Sequence, residues 1–363
     1  MSSLSLQTSA SRSNHEKPKT LTEIEAAIRD LEAALASTAS GETHQPAFQA
    51  VHHDRLADLY FSKHTITRSS EDFDAIEHQS SIASTLGREA MQGIPPGYSK
   101  AAQWCALQGS RLTLRYERFG DRKDLDEAIE VYNEALGTLM EDSTLRSVIF
   151  MNQANCLCTR YEIDGASEDI EDAIENAKKS LVAAGGNAVA VQNDLSTMYL
   201  SKYEKDRKVE DLEQAIKLAQ KAVDGTEKDD PRLPTRLLNL ANGLKADYEC
   251  NENFMNIHET IQVLQNAERA ARLCNAECML QILSHLAHVF YIRYTKDRGS
   301  SDLIAAKRKA EEGLRMIGDA REDSVNLDVH NSLTKLLHTC SEEAREPEEG
   351  GEEIYEEGIS VQM

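Results

Sequence analysis

The chain has 363 residues, 40% apolar and 5% aromatic, with only seven prolines, so it can bury a sizeable core and it favours helix. A formal charge of −22 without any basic stripe argues against nucleic acid and anionic membranes as partners, and for a neutral or basic protein segment. No apolar run is long enough to span a bilayer or serve as a secretory signal, and seven cysteines without paired spacing point to a reduced, cytoplasmic setting.

Residues 1–19 are Ser-rich and read as a disordered tail. Helical patterning begins near 22–36, where Glu23-Ile24 and Ala27-Ile28 form half of a motif that recurs downstream, with Thr22 as the expected cap. Further helices are predicted near 45–64, 71–91, 98–119, 122–140, 143–162, 167–184, 187–205, 209–224, 232–250, 255–273, 276–297, 301–317 and 323–340. The segment Gly93-Ile94-Pro95-Pro96-Gly97 cannot be helical and reads as a connecting loop. The helices make one domain over 20–340. Residues 341–363, with nine Glu against one Arg, read as a second disordered tail.

Six stretches in alternate helices align on one another: LADLYFSKH (56–64), QGSRLTLRY (108–116), QANCLCTRY (153–161), LSTMYLSKY (195–203), LANGLKADY (240–248) and LAHVFYIRY (286–294). Counting the terminal residue (His64, Tyr116, Tyr161, Tyr203, Tyr248, Tyr294) as position 0, position −7 is always small and position −4 always large and apolar. Position −8 is Leu except at Gln108 and Gln153. Positions −8, −4 and 0 are successive turns on one buried stripe. Position −1 is basic in five units, with Asp247 the exception; eight residues beyond position 0 stands Asp72, Asp124, Asp169, Asp211, Asn256 or Asp302. The simple reading is an ion pair inside each unit, with a ligand contact as the alternative. That Asp is also placed to cap the second helix, whose following Ala and Ile face the core.

The small −7, the large −4 and the later Ala-Ile pair resemble the tetratricopeptide repeat. The longer step, the Arg/Lys-Tyr end of the first helix and the Asp-Leu-x-x-Ala-Ile start of the second are most similar to tetratricopeptide arrays of filamentous fungi, which often accompany a CHAT or nucleotide-binding domain. The resemblance implies an all-α, right-handed α-solenoid of about six helix pairs with a lone helix at each end. It also implies a non-catalytic scaffold that holds a protein segment on its concave face, or a regulatory module acting on a separate effector. Gly120, Gly165 and Gly299 are the surviving turn glycines.

In that family the concave columns match positions −9 and −6 here. They read Arg55, Leu107, Asn152, Asp194, Asn239, His285 and Asp58, Ser110, Asn155, Thr197, Asn242, His288. Eleven of these twelve are polar although the neighbouring stripe is apolar, so they are candidates for gripping a peptide backbone, or for a ladder between neighbouring repeats. Catalytic signatures are missing: there is no Gly-x-Ser-x-Gly, no phosphate-binding glycine loop and no His-Glu-x-x-His. Cys274, Cys278, His285 and His288 have the types of a metal set, but Cys278 and His285 lie about 10 Å apart along one helix, too far for one ion. Neither cofactor nor metal is expected.

Overall fold

A computed structural model describes residues 20–38, 46–67, 69–92, 101–139, 143–186, 188–251, 254–274, 276, 278–317 and 324–344. The expected tail 1–19, the loop 93–97 and the acidic segment from 345 onward lie outside the described residues. All regular elements among those described are α-helices, so the chain is all-α. It divides after Ala222 into two compact units.

The N-terminal unit contains α1 (Leu21–Thr38), α2 (Pro46–Thr67), α3 (Ser70–Gln92), α4 (Ala101–Phe119), α5 (Arg122–Thr138), α6 (Ser143–Asp164), α7 (Ser167–Ala183), α8 (Val189–Asp206) and most of α9 (Val209–Asp224). The C-terminal unit contains α10 (Leu233–Asn251), α11 (Phe254–Cys274), α12 (Met279–Asp297), α13 (Ser300–Ile317) and α14 (Ser324–Glu343). Within the first unit α2 packs on α3, α4 on α5 and α6 on α7; within the second α10 packs on α11 and α12 on α13. Each unit is therefore a stack of helical hairpins. Lone helices cover the ends: α1 lies on α2, and α14 on α12 and α13. α1 buries Ile24 and Ile28 while its Thr22, Glu23, Arg29 and Asp30 stay exposed, the polar outer face that a terminal helix needs. Its cap is Thr20 rather than the expected Thr22: Thr20 and Glu23 bond reciprocally, at 2.8 and 3.3 Å.

The small −7 column packs as expected, and the −8 column shows how its two exceptions are accommodated. At −7, Ala57, Gly109, Ala154, Ser196, Ala241 and Ala287 are all buried. At −8, buried Gln108 and Gln153 replace Leu, and each finds partners on the preceding second helix: Ser84 for the former, the Ile129 carbonyl and Asn133 for the latter.

The pair between −1 and +8 forms inside the hairpin. Distances are 2.8 Å for Lys63–Asp72, 3.0 Å for Arg115–Asp124, 2.6 Å for Arg160–Asp169, 3.8 Å for Lys202–Asp211 and 2.6 Å for Arg293–Asp302. Arg160 and Arg293 bond their Asp with two nitrogens each. The exceptional unit keeps the link by exchange, since Asn256 donates its amide to Asp247. The Asp is thus not the helix cap. In α5 the cap is Asp121, which accepts from the Lys123 N–H, and Asp124 is the third residue of the helix, within its first turn.

A left-handed residue follows four positions after the terminal aromatic. Gly120, Gly165, Arg207 and Arg298 have φ of 72°, 75°, 56° and 53°, and each donates its N–H to the aromatic residue's carbonyl. Gly299 is therefore not the turn glycine; Arg298 takes that conformation. A non-glycine residue there costs about 1 kcal/mol, offset in part where Arg207 and Arg298 lie 5.5 and 5.3 Å from the Tyr203 and Tyr294 ring centres.

Candidate functional site

First helices lie beside one another within each unit: α4 by α6, α6 by α8, and α12 by α14. This brings the −6 residue of one hairpin towards the −9 residue of the next. The Tyr132 hydroxyl joins Ser110 at −6, 3.3 Å away, to Asn152 at −9. Burial holds that phenol neutral, well above its usual range. In the C-terminal unit His288 bonds the Ser284 carbonyl through Nδ1 at 2.7 Å and the Ser332 hydroxyl of α14 through Nε2 at 3.1 Å. Asn152 and His288 thus each hydrogen-bond to a neighbouring helix, α5 and α14 respectively.

The remaining candidates separate by environment. Arg55 and Asp58 are exposed on α2, and Asp58 accepts from Arg118 at 2.8 Å. Thr197 bonds the Asp194 carbonyl and Asn193 the Asp194 carboxylate, both local to α8. Asn239 is half-buried and is engaged within the chain. Asn155 and Asn242 differ from all of these. Each is half-buried, and in each the side-chain oxygen is shielded from solvent with no partner among the described residues. Both occupy position −6, one in each unit. Such an acceptor costs about 1–3 kcal/mol if it stays unmade.

His285 stands at −9 of α12. Burial, then Lys245 and His288, push its pKa down to about 4. The imidazole is neutral in the folded chain, while an unfolded imidazole titrates near 6.5. Since the unfolded chain binds more protons between these values, the contribution of neutral His285 is complete above pH ~6.5 and is lost as pH falls towards 4. His285→Asn, the residue that Asn152 and Asn239 place in this column, should therefore flatten the fall in stability between pH 6.5 and 4.5 by about 1–2 kcal/mol. Urea denaturation of both proteins at these two pH values measures it; equal slopes would count against a buried neutral imidazole.

A cavity of about 580 Å³ lies elsewhere in the N-terminal unit, between α5 and α7 with α6 as its floor. The glutamine at −8 of α6, Gln153, stands at its base. In the sequence Gln153 is an irregularity of the −8 column, and that irregularity is the signal for the cavity.

No protein-family model and no curated protein matches the chain. Solved structures similar to it include a thermophilic TPR protein from Thermus thermophilus, at 18% identity and TM-score 0.42, covering 66% of this chain and 100% of that one. The C-terminal part of a TPR repeat-containing protein from Cytophaga hutchinsonii aligns at 12% identity and TM-score 0.45, over 85% and 99% of the two chains. The nuclear import adaptor Nro1 of S. pombe aligns at 12% identity and TM-score 0.41, over 81% and 99%. These likenesses are too loose to bear on function. Among the described residues, no helix is long and apolar enough to cross a membrane.

Proposed function

We propose that this chain is a non-catalytic interaction scaffold that holds a neutral or basic protein segment against the −9 and −6 columns of its first helices. The observation that carries this reading is the repeated orphan: Asn155 and Asn242 occupy the same column, and each retains a buried side-chain carbonyl oxygen with no partner among the described residues. A half-turn of an Asn amide exchanges its acceptor and its donors, so each side chain matches either an N–H or a C=O of an extended backbone. The carboxylates of Asp58 and Asp194 in the same columns, and the charge of −22, favour a partner that is not itself acidic.

Replacing both residues separates binding from support. Asn155→Ala with Asn242→Ala removes two unmade acceptors, so thermal stability should stay level or rise by up to about 1 kcal/mol. The proteins that co-purify with the wild-type chain from its native cells should be lost at the same time. A clear fall in melting temperature with an unchanged set of co-purifying proteins would assign both residues to the stack instead.

A further inference from the structure

The cavity on α6 uses a different face from the Asn152 and Asn155 columns. Arg146, Phe150, Gln153 and Leu157 follow one another at helical spacing along its floor. Three amides cross it: Gln153 donates to Asn133 of α5 at 2.8 Å and accepts from Asn176 of α7 at 3.0 Å. Buried Gln153 also donates to the Ile129 carbonyl at 3.3 Å, so both ends of its amide are engaged. The two ends of the amide chain remain open. Among the described residues neither the Asn133 amide nitrogen nor the Asn176 amide oxygen has a partner, so the cavity offers one donor and one acceptor fixed by a common base.

A second, apolar recess of about 410 Å³ adjoins it and shares Arg146, Phe150 and Lys179. Val182, 78% exposed, forms part of that recess. The Arg146 guanidinium and the Lys179 ammonium lie 5.7 and 5.8 Å from the centre of the Phe150 ring. Arg146 has no carboxylate partner among the described residues, whereas Lys179 shares its charge with Glu175 at 2.6 Å. Among the described residues Arg146 thus stands without a carboxylate partner where a polar chamber meets an apolar recess, and Lys178, which also lines the recess, is a second such cation, on a chain whose net charge is strongly negative.

We propose that this cavity is a second binding site, and that it takes an extended acidic peptide in which a carboxylate side chain is followed by an apolar one. The open amide donor and acceptor suit the C=O and N–H of one extended residue. The carboxylate meets Arg146, and the apolar side chain enters the recess over Phe150 and Val182. A phosphate fits less well, because Asp172 in the wall and Glu175 beside Lys179 repel a second negative charge. The site is opposite in charge preference to the one on the first-helix columns, so the scaffold would discriminate two kinds of segment.

The test uses the full chain and a blocked peptide, acetyl-Gly-Glu-Phe-Glu-Leu-Gly-amide, with its Gln-for-Glu analogue, in calorimetric titrations at low salt. The Glu peptide should bind at least about tenfold more tightly than the Gln peptide, and Arg146→Ser should remove that preference. Gln153→Leu restores the residue that four other units place at −8, so it should fold, and it should weaken both peptides by breaking the amide bridge. Asn155→Ala with Asn242→Ala should leave the titration unchanged, which separates failure of this site from failure of the first-helix columns. Equal affinity for the two peptides, a preference that survives in Arg146→Ser, or no binding at about 2 mM peptide would each overturn the proposal.

Discussion

Arg160→Met is expected to lower the stability of the N-terminal unit by about 2–4 kcal/mol. Arg160 donates two bonds to Asp169, at 2.8 and 2.6 Å, and a third to Asp126 at 3.1 Å. Methionine fills a similar volume but leaves Asp169, only 7% exposed, as a carboxylate without its cation. The penalty comes from that stranded charge more than from the lost attraction, because an exposed pair contributes little. Asp169→Asn in the Arg160→Met background should therefore recover a large part of the loss. Unit five carries a related solution, with the acid at −1 and the amide at +8 in Asp247 and Asn256. Denaturant unfolding of the four proteins of this double-mutant cycle measures the coupling, and a cost for Arg160→Met under about 0.5 kcal/mol would place the pair with ordinary surface pairs.

Gly109→Ala is expected to cost about 2–3 kcal/mol, although four other units have Ala at the same position. A Cβ there would lie 2.6 Å from two atoms of the Tyr132 ring. The ring cannot yield easily: it is 1% exposed, and its hydroxyl is held by Ser110 and Asn152. The other units keep a smaller residue 23 positions after the small one (132 − 109 = 23): Ser80, Ala177, Ala219 and Ala310, with Leu264 as the intermediate case. Glycine and tyrosine thus exchange volume across α4 and α5. The same alanine should cost clearly less in a Tyr132→Leu background, as read by denaturant unfolding. Strictly additive costs would show that the contact does not limit the packing.

The helices and their pairing were legible because one stripe of spaced apolar and small residues repeats six times, and helix geometry turns that spacing into a buried face. The ion pairs were legible too, since a basic residue at −1 and an acid at +8 meet across any tight helical turn. Besides the two helix caps, three things escaped. Arg207 and Arg298 adopt the left-handed conformation where glycine is the usual sign of it, so no glycine marked the first of these turns and Gly299 marked the second one residue too late. The role of Asn152 depends on Tyr132, which lies in a different hairpin and belongs to no column of the first helices. The α5–α7 cavity depends on the space left between two second helices, and only the irregular Gln153 gave a trace of it in the sequence.

The link between −1 and +8 has a consequence for how such a chain changes over generations. Its two residues lie nine apart, so each hairpin settles its own buried charge and needs no distant segment to do so. As far as this pair is concerned, a whole hairpin can be copied or dropped with its own acid and base together. Other contacts limit this independence: Gln153, and with it the Arg160 bond to Asp126, joins its own hairpin to α5 of the hairpin before it, as Gln108 joins α4 to α3. The α4–α5 and α6–α7 hairpins should therefore be inherited together, as a block of the array whose members cannot be reshuffled freely.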